Sequence, residues 1–131
     1  MDKPDRRPSQ PSSQPYDIET GALYAPLQHI DVGALAAAQA PWWNRTLCQV
    51  NDAVVRLAVI EGEFHWHKHD AEDEFFYVVE GHLDIDLEGE TIGLEPDQGF
   101  TVPRGVVHRT RAPSRTVILM VEKAGVVPTG D

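Results

Sequence analysis

From residue 44 onward the chain repeats one pattern: a short β-branched, aromatic or alternating apolar run, a turn signal, then another such run. NRTLCQV and AVVRLAVI flank Asn51-Asp52, a turn-forming pair, and are predicted to form a hairpin. FFYVV, LDIDL, TIGL and GFTV follow, separated at Gly81, at Gly89-Glu90 and at Glu95 to Gln98. TVILMVE ends the series and is predicted to start after a turn at Ala112-Pro113-Ser114-Arg115. Many short strands at near-regular spacing predict an all-β sandwich or barrel.

The remaining segments fit around that unit, and 131 residues leave room for one domain with one site. Residues 1–15 are rich in Pro, Ser, Gln and charge, so they bury too little to offset chain entropy and read as a disordered tail. Residues 16–43 read as an N-terminal arm. Within it DVGALAAAQA has Asp31 placed as an N-cap and Pro41 as a stop, which predicts one short helix. Residues 44–123 are the predicted barrel, and 124–131 a C-terminal tail that leaves the sheet.

Charge narrows the partners. Eleven Lys plus Arg against twenty-one Asp plus Glu give a formal charge of -10, which repels nucleic acid and anionic lipid surfaces. No stretch reaches the roughly 20 apolar residues of a membrane span, and the first residues lack the apolar core of a secretory signal. The expected location is the cytoplasm. Cys48 is the sole cysteine, which fits a reducing compartment and a half-buried strand position.

Residues 65–81, HWHKHDAEDEFFYVVEG, carry the chemistry. Side chains alternate along a strand, so His65, His67 and His69 are predicted to share one face, about 7 Å between successive ones. Phe64, Trp66 and Lys68 take the other. A four-residue loop at Asp70–Asp73 would set Glu74 opposite His69 and Phe76 opposite His67, bringing a carboxylate to the imidazole face. Asp70, Glu72 and Asp73 stay in the wet loop. Neutral imidazoles with one carboxylate suit a divalent cation that takes a further ligand, and His108, after VPRGVVH, is available for that position.

These two stretches resemble the paired motifs of the cupins. Gly62, His67, His69, Glu74 and Gly81 match the first motif; Pro103, Gly105 and His108 match the second. The glycine that usually opens the second motif is Asp97 here, with Gly99 two positions later, and the asparagine usual after its histidine is Ala112. The resemblance spans residues 44–123. It implies a cupin β-barrel or jelly roll that binds one divalent metal ion (Fe, Mn, Ni or Zn) through His67, His69, Glu74 and His108. It also implies a homodimer, expected to form through the segment before residue 50. His65 is then a neighbour of the ligand shell, because a fifth protein ligand would over-fill it. Phe76, Phe100 and Val102 are expected to line the pocket by strand parity. Arg56, set between apolar neighbours, reads as edge-facing, with contact to an anionic substrate as the alternative; His29 and His82 read as exposed, and Trp42 and Trp43 as packing or dimer surface.

Three imidazoles and a carboxylate leave a divalent site near +1 with open positions, which attracts a bidentate carboxylate, enolate or dicarbonyl. The first functional reading is a metal-dependent dioxygenase or oxidase of a small chelating oxygenated molecule, with Glu74 as both ligand and proton acceptor. Two others stand beside it: a metal-dependent isomerase or lyase on a sugar or hydroxy acid, and a non-catalytic cupin that binds a small ligand. The full ligand set argues against a metal-free epimerase.

Overall fold

The computed structural model describes residues 16–131; the tail predicted for residues 1–15 lies outside them. Nine elements follow in order: β1 (Asp17–Glu19), α1 (Val32–Ala37), β2 (Trp43–Val50), β3 (Ala53–Glu63), β4 (Glu74–Glu80), β5 (Leu83–Leu87), β6 (Glu90–Leu94), β7 (Gly99–Val102) and β8 (His108–Lys123). The predicted all-β class with one short helix is what forms. Asp31 caps α1 as the sequence implies, its carboxylate accepting from the Ala34 amide at 3.0 Å. The helix stops well before Pro41, since Ala36 alone among its residues is buried and little packing rewards further turns.

β2 and β3 pair antiparallel with Val50 opposite Ala53, so Asn51 and Asp52 make the predicted two-residue turn. Asn51 takes φ 54°, the left-handed conformation that such a tight turn needs. β3 is apolar on both faces, for a reason visible in the packing. Ala58 and Ile60 face inward to Phe76, Val78, Ile85 and Ile118. Leu57 and Val59 face the opposite way, onto Trp43, Leu47 and Ala36 of the N-terminal arm. Two layers therefore cover the strand, which explains an apolar run without alternation.

β8 organises the sheet. One edge pairs with β3, and the other pairs with β5 along its first residues and with β4 along its last. β7 extends β4, and β6 extends β5. The sheet does not close into a barrel among the described strands; it rolls in jelly-roll fashion. The turn expected at residues 112–115 is instead a bulge inside a continuous strand, where the register passes from Ile60↔Thr116 to Gly62↔Ala112. Pro113, which has no amide hydrogen, falls where the ladder asks for no donor. The ribbon also doubles over there: His108 and Glu122 sit near opposite ends of β8, where about 3.3 Å per residue would part them by tens of Å. Both nevertheless neighbour Glu74.

Two further expectations change. β1, which the sequence did not announce, pairs parallel with the start of β2 and is tied down by Arg45 to Asp17 at 3.0 Å. The facing hairpin proposed for His65–Phe76 does not form. β3 ends at Glu63, and both edges of β4 are taken by β7 and β8, with Glu74 opposite Val102 and Glu122 and Phe76 opposite Phe100 and Met120. No edge remains for the histidine segment.

Candidate metal centre

The histidine segment finds its partner in the second motif. His67 and His108 form an isolated antiparallel bridge, each amide donating to the other's carbonyl at 2.9 and 2.8 Å. The Gly105 amide donates to the His69 carbonyl at 2.7 Å, and Gly105 takes φ 80°, so the VPRGVVH turn is fastened directly to the ligand segment. Glu74 enters from the start of β4. Its Oε1 lies 3.3 Å from His69 Nε2 and 3.5 Å from His108 Nε2.

His67, His69, Glu74 and His108 thus bring one donor atom each to within 4.8 Å of one another, with His67 partly buried and the other three buried. The geometry of each imidazole suits a cation at their centre. His67 Nδ1 sits 3.0 Å from the His65 carbonyl and His108 Nδ1 2.9 Å from the Val106 carbonyl. A carbonyl only accepts, so each Nδ1 carries the hydrogen and each Nε2 presents a lone pair. Among the described residues, His69 Nε2, His108 Nε2 and Glu74 Oε1 are buried without a hydrogen-bond partner. Buried polar atoms without partners are rare, and a convergent set of three imidazoles and a carboxylate has the donor chemistry to hold a divalent ion. Burial pushes the His67 imidazole down to about 4, which keeps it neutral as ligation requires. Burial would raise the Glu74 carboxyl, but His108, His69 and Glu122 outweigh it and hold it well below the usual carboxylate range.

The family model for the cupin domain matches residues 53–122. The chain belongs to the cupin family. Over 80 residues this cupin is 49% identical to the uncharacterized protein YdbB of Bacillus subtilis, covering 60% of the present chain and 71% of that one. A shorter stretch of 45 residues is 51% identical to the polyketide synthase CurC of Streptomyces cyaneus, covering 34% and 29% of the two chains. Among solved structures it is similar to a cupin-2 domain protein of Shewanella frigidimarina, with TM-score 0.69 and 32% identity over 72% of this chain and 93% of that one. No helix among the described residues is long and apolar enough to cross a membrane.

Other residues singled out in the sequence are placed differently. The His65 ring is exposed, stacked on Phe64 at 4.3 Å and bonded to the Thr129 carbonyl at 2.7 Å; its contribution to the centre is the backbone carbonyl that orients His67. The cavity beside the donors holds about 40 Å³, room for a few waters, and is lined by His67, Glu74, Phe64 and Phe76 among others. Phe100 and Val102 pack into the core instead of lining it, because β7 lies on the far edge of β4. Phe64 sits on the cavity side, against the parity expectation, since the strand ends before it. Trp43 is core and Trp42 lines the cavity. His82 lies between carboxylates of Asp84 and Glu95 at 2.9 and 3.1 Å, which raise its pKa.

Two site residues were missed. Arg56 is not on an edge: it follows Val54 inward on β3 and is 2% exposed, with Nη1 on Thr46 Oγ1 at 2.5 Å and Nη2 on Asn44 Oδ1. Glu122, 4% exposed, stands opposite Glu74 in the β4–β8 register, and burial beside the Glu74 carboxylate pushes it up to about 9. The signal available was parity: both charges fall in phase with the inward apolar residues of their strands. The C-terminal segment also returns to the site. The Asp131 amide donates to the Lys68 carbonyl at 2.9 Å, and its carboxylate accepts from the Asp70 amide at 2.6 Å. Glu72 and Asp131 each place a carboxylate oxygen within 4.8 Å of a His69 ring nitrogen.

Proposed function

We propose that this cupin holds one divalent metal ion on His67, His69, Glu74 and His108 and acts on a small oxygenated molecule that chelates it. The observation that carries this reading is the convergence of four donors, three of them buried without hydrogen-bond partners. Such an ion supplies Lewis acidity and, when redox-active, electron transfer. The protein's own groups do the rest. Backbone carbonyls of His65 and Val106 fix the imidazoles, while Phe64 and Phe76 exclude water from one side of the cavity. Glu74, held ionised, serves as the carboxylate donor.

Oxygen-dependent turnover of the dioxygenase or oxidase type is the first reading. Isomerase or lyase chemistry is the second, favoured by Glu122: a carboxyl that keeps its proton at neutral pH beside the donors is placed to exchange it with a chelated substrate. Elemental analysis of the purified protein together with oxygen uptake on chelating substrates decides between them. Iron or manganese with substrate-dependent oxygen consumption supports the first; turnover with zinc and no oxygen consumption supports the second; an absence of metal after loading removes both. The expected homodimer through the segment before residue 50 is part of the proposal, supported by exposed Leu23 and Leu27, and light scattering on a sizing column tests it.

A further inference from the structure

Arg56 and Glu122 present an unusual arrangement for a protein interior. Both line the same cavity as His67 and Glu74, on adjacent inward-facing strands, and both are more than nine-tenths buried. Yet among the described residues Arg56 Nε has no hydrogen-bond partner, and Glu122, its carboxyl set against that of Glu74, leaves an oxygen without one. A buried donor and a buried acceptor facing one space are costly unless something in that space bonds to them.

The chemistry of that something can be narrowed. A carboxylate is best held by two parallel bonds from a guanidinium, but here Nη2 spends its two hydrogens on Asn44 and on the Glu19 carbonyl at 3.4 Å and Nη1 is bonded to Thr46, so Nε has no free neighbour with which to form that pair. The Glu74 carboxylate flanks the same space and disfavours a second anion, while Glu122 beside it is neutral at pH 7. A hydroxyl meets the need, since it accepts from Arg56 Nε through its oxygen and donates to Glu122 through its hydrogen. The rest of the wall is apolar, with Trp42, Phe64, Phe76 and Met120, and suits a carbon skeleton.

We propose that Arg56 and Glu122 form a substrate subsite beside the metal donors, and that it takes an uncharged hydroxyl at the far end of a molecule whose other end chelates the metal. This rests on the metal reading above and specifies its substrate class: a neutral hydroxylated carbonyl compound in preference to a dicarboxylate.

Three hydroxypyranones that share one chelating end test it. Allomaltol carries a methyl group at the distal position, kojic acid a hydroxymethyl and comenic acid a carboxylate. Calorimetric titration of the zinc-loaded protein should rank kojic acid about tenfold tighter than allomaltol, the worth of one bond to a charged donor, with comenic acid weakest. Arg56→Met should retain zinc at the parent stoichiometry and lose the kojic acid preference; Glu122→Met, compared at saturating zinc, should lose the preference too, and Glu122→Gln should restore part of it. Equal affinities for kojic acid and allomaltol, tightest binding of comenic acid, or a preference that survives both substitutions would overturn the subsite. If a methionine variant does not fold, the ranking on the parent protein decides alone. Failure to load zinc at all counts against the metal centre instead, and is read separately by elemental analysis.

Discussion

Replacing His108 with alanine separates the metal centre from the fold that carries it. The bridge between His67 and His108 is made by backbone atoms at 2.9 and 2.8 Å, so alanine keeps it. What disappears is Nε2, a buried donor 3.5 Å from Glu74 Oε1. Losing even an outer partner of a ligand costs about 10–100-fold in metal affinity, so loss of a ligand itself should cost about 100-fold or more. The consequence for stability follows from mass action. At a free metal concentration 100 times the parent dissociation constant, binding stabilises the parent by about 2.7 kcal/mol. The same concentration only equals the dissociation constant of the variant, and the gain there is about 0.4 kcal/mol. For a chain of this size each kcal/mol moves the melting temperature by roughly 4 °C, so metal should raise the parent by about 10 °C and His108→Ala by about 2 °C. Thermal melts of chelator-stripped protein with and without zinc or manganese measure both shifts. An equal rise in the two proteins would refute the reasoning, because the stabilising ion would then sit elsewhere.

Three other outcomes are expected. Asp86 accepts from Arg109 Nε at 2.8 Å and from Arg111 Nε at 2.6 Å, and these contacts, Arg111 first, depress its pKa. Asp86→Asn should cost about 1–2 kcal/mol in urea unfolding at pH 7, both arginines keeping contact with water. A depressed folded pKa means this gap is full above about pH 3.9 and shrinks as pH falls below it, so a gap that grows in acid would contradict the assignment. At Gly81, φ 94°, an added Cβ would come within 2.9 Å of the Arg115 carbonyl and the Thr116 Cα, so Gly81→Ala should destabilise by about 2 kcal/mol or more in the same assay. At Gly130, φ 99°, a Cβ would fall 2.5 Å from His67 Cβ; Gly130→Ala should shift the His67 segment and weaken zinc binding by about tenfold, read by competition with a chromophoric chelator.

Local chemistry carried much of this fold into the sequence. Asn51-Asp52 announced its hairpin, Asp31 its cap, and the alternation in LDIDL its strand, because each depends on residues a few positions apart. The four donors were legible as residue types at fixed spacings. Their route to one another was not: Glu74 reaches the imidazoles through β4's pairing with β7 and β8, and His67 reaches His108 through a single bridge, both matters of distant partners. Pro113 suggested a chain break and marks a fold in the ribbon, since a bulge tolerates a missing amide as well as a turn does. Arg56 was read as edge-facing and Glu122 passed over because a charge on a strand is ordinarily taken as outward, and the inward phase shows only when the neighbouring strands are in place.

The position of β8 between β3 on one side and β5 and β4 on the other has a consequence for how the protein comes into being. Synthesis proceeds from the N-terminus, so a nascent chain displays β3, β4 and β5 each with one edge bare until the last ribbon emerges. Three of the four donors exist by then, at residues 67, 69 and 74, yet nothing holds them together. The final strand delivers His108 and completes the sheet in one event, and metal supplied before that moment meets a chain with no finished place to put it.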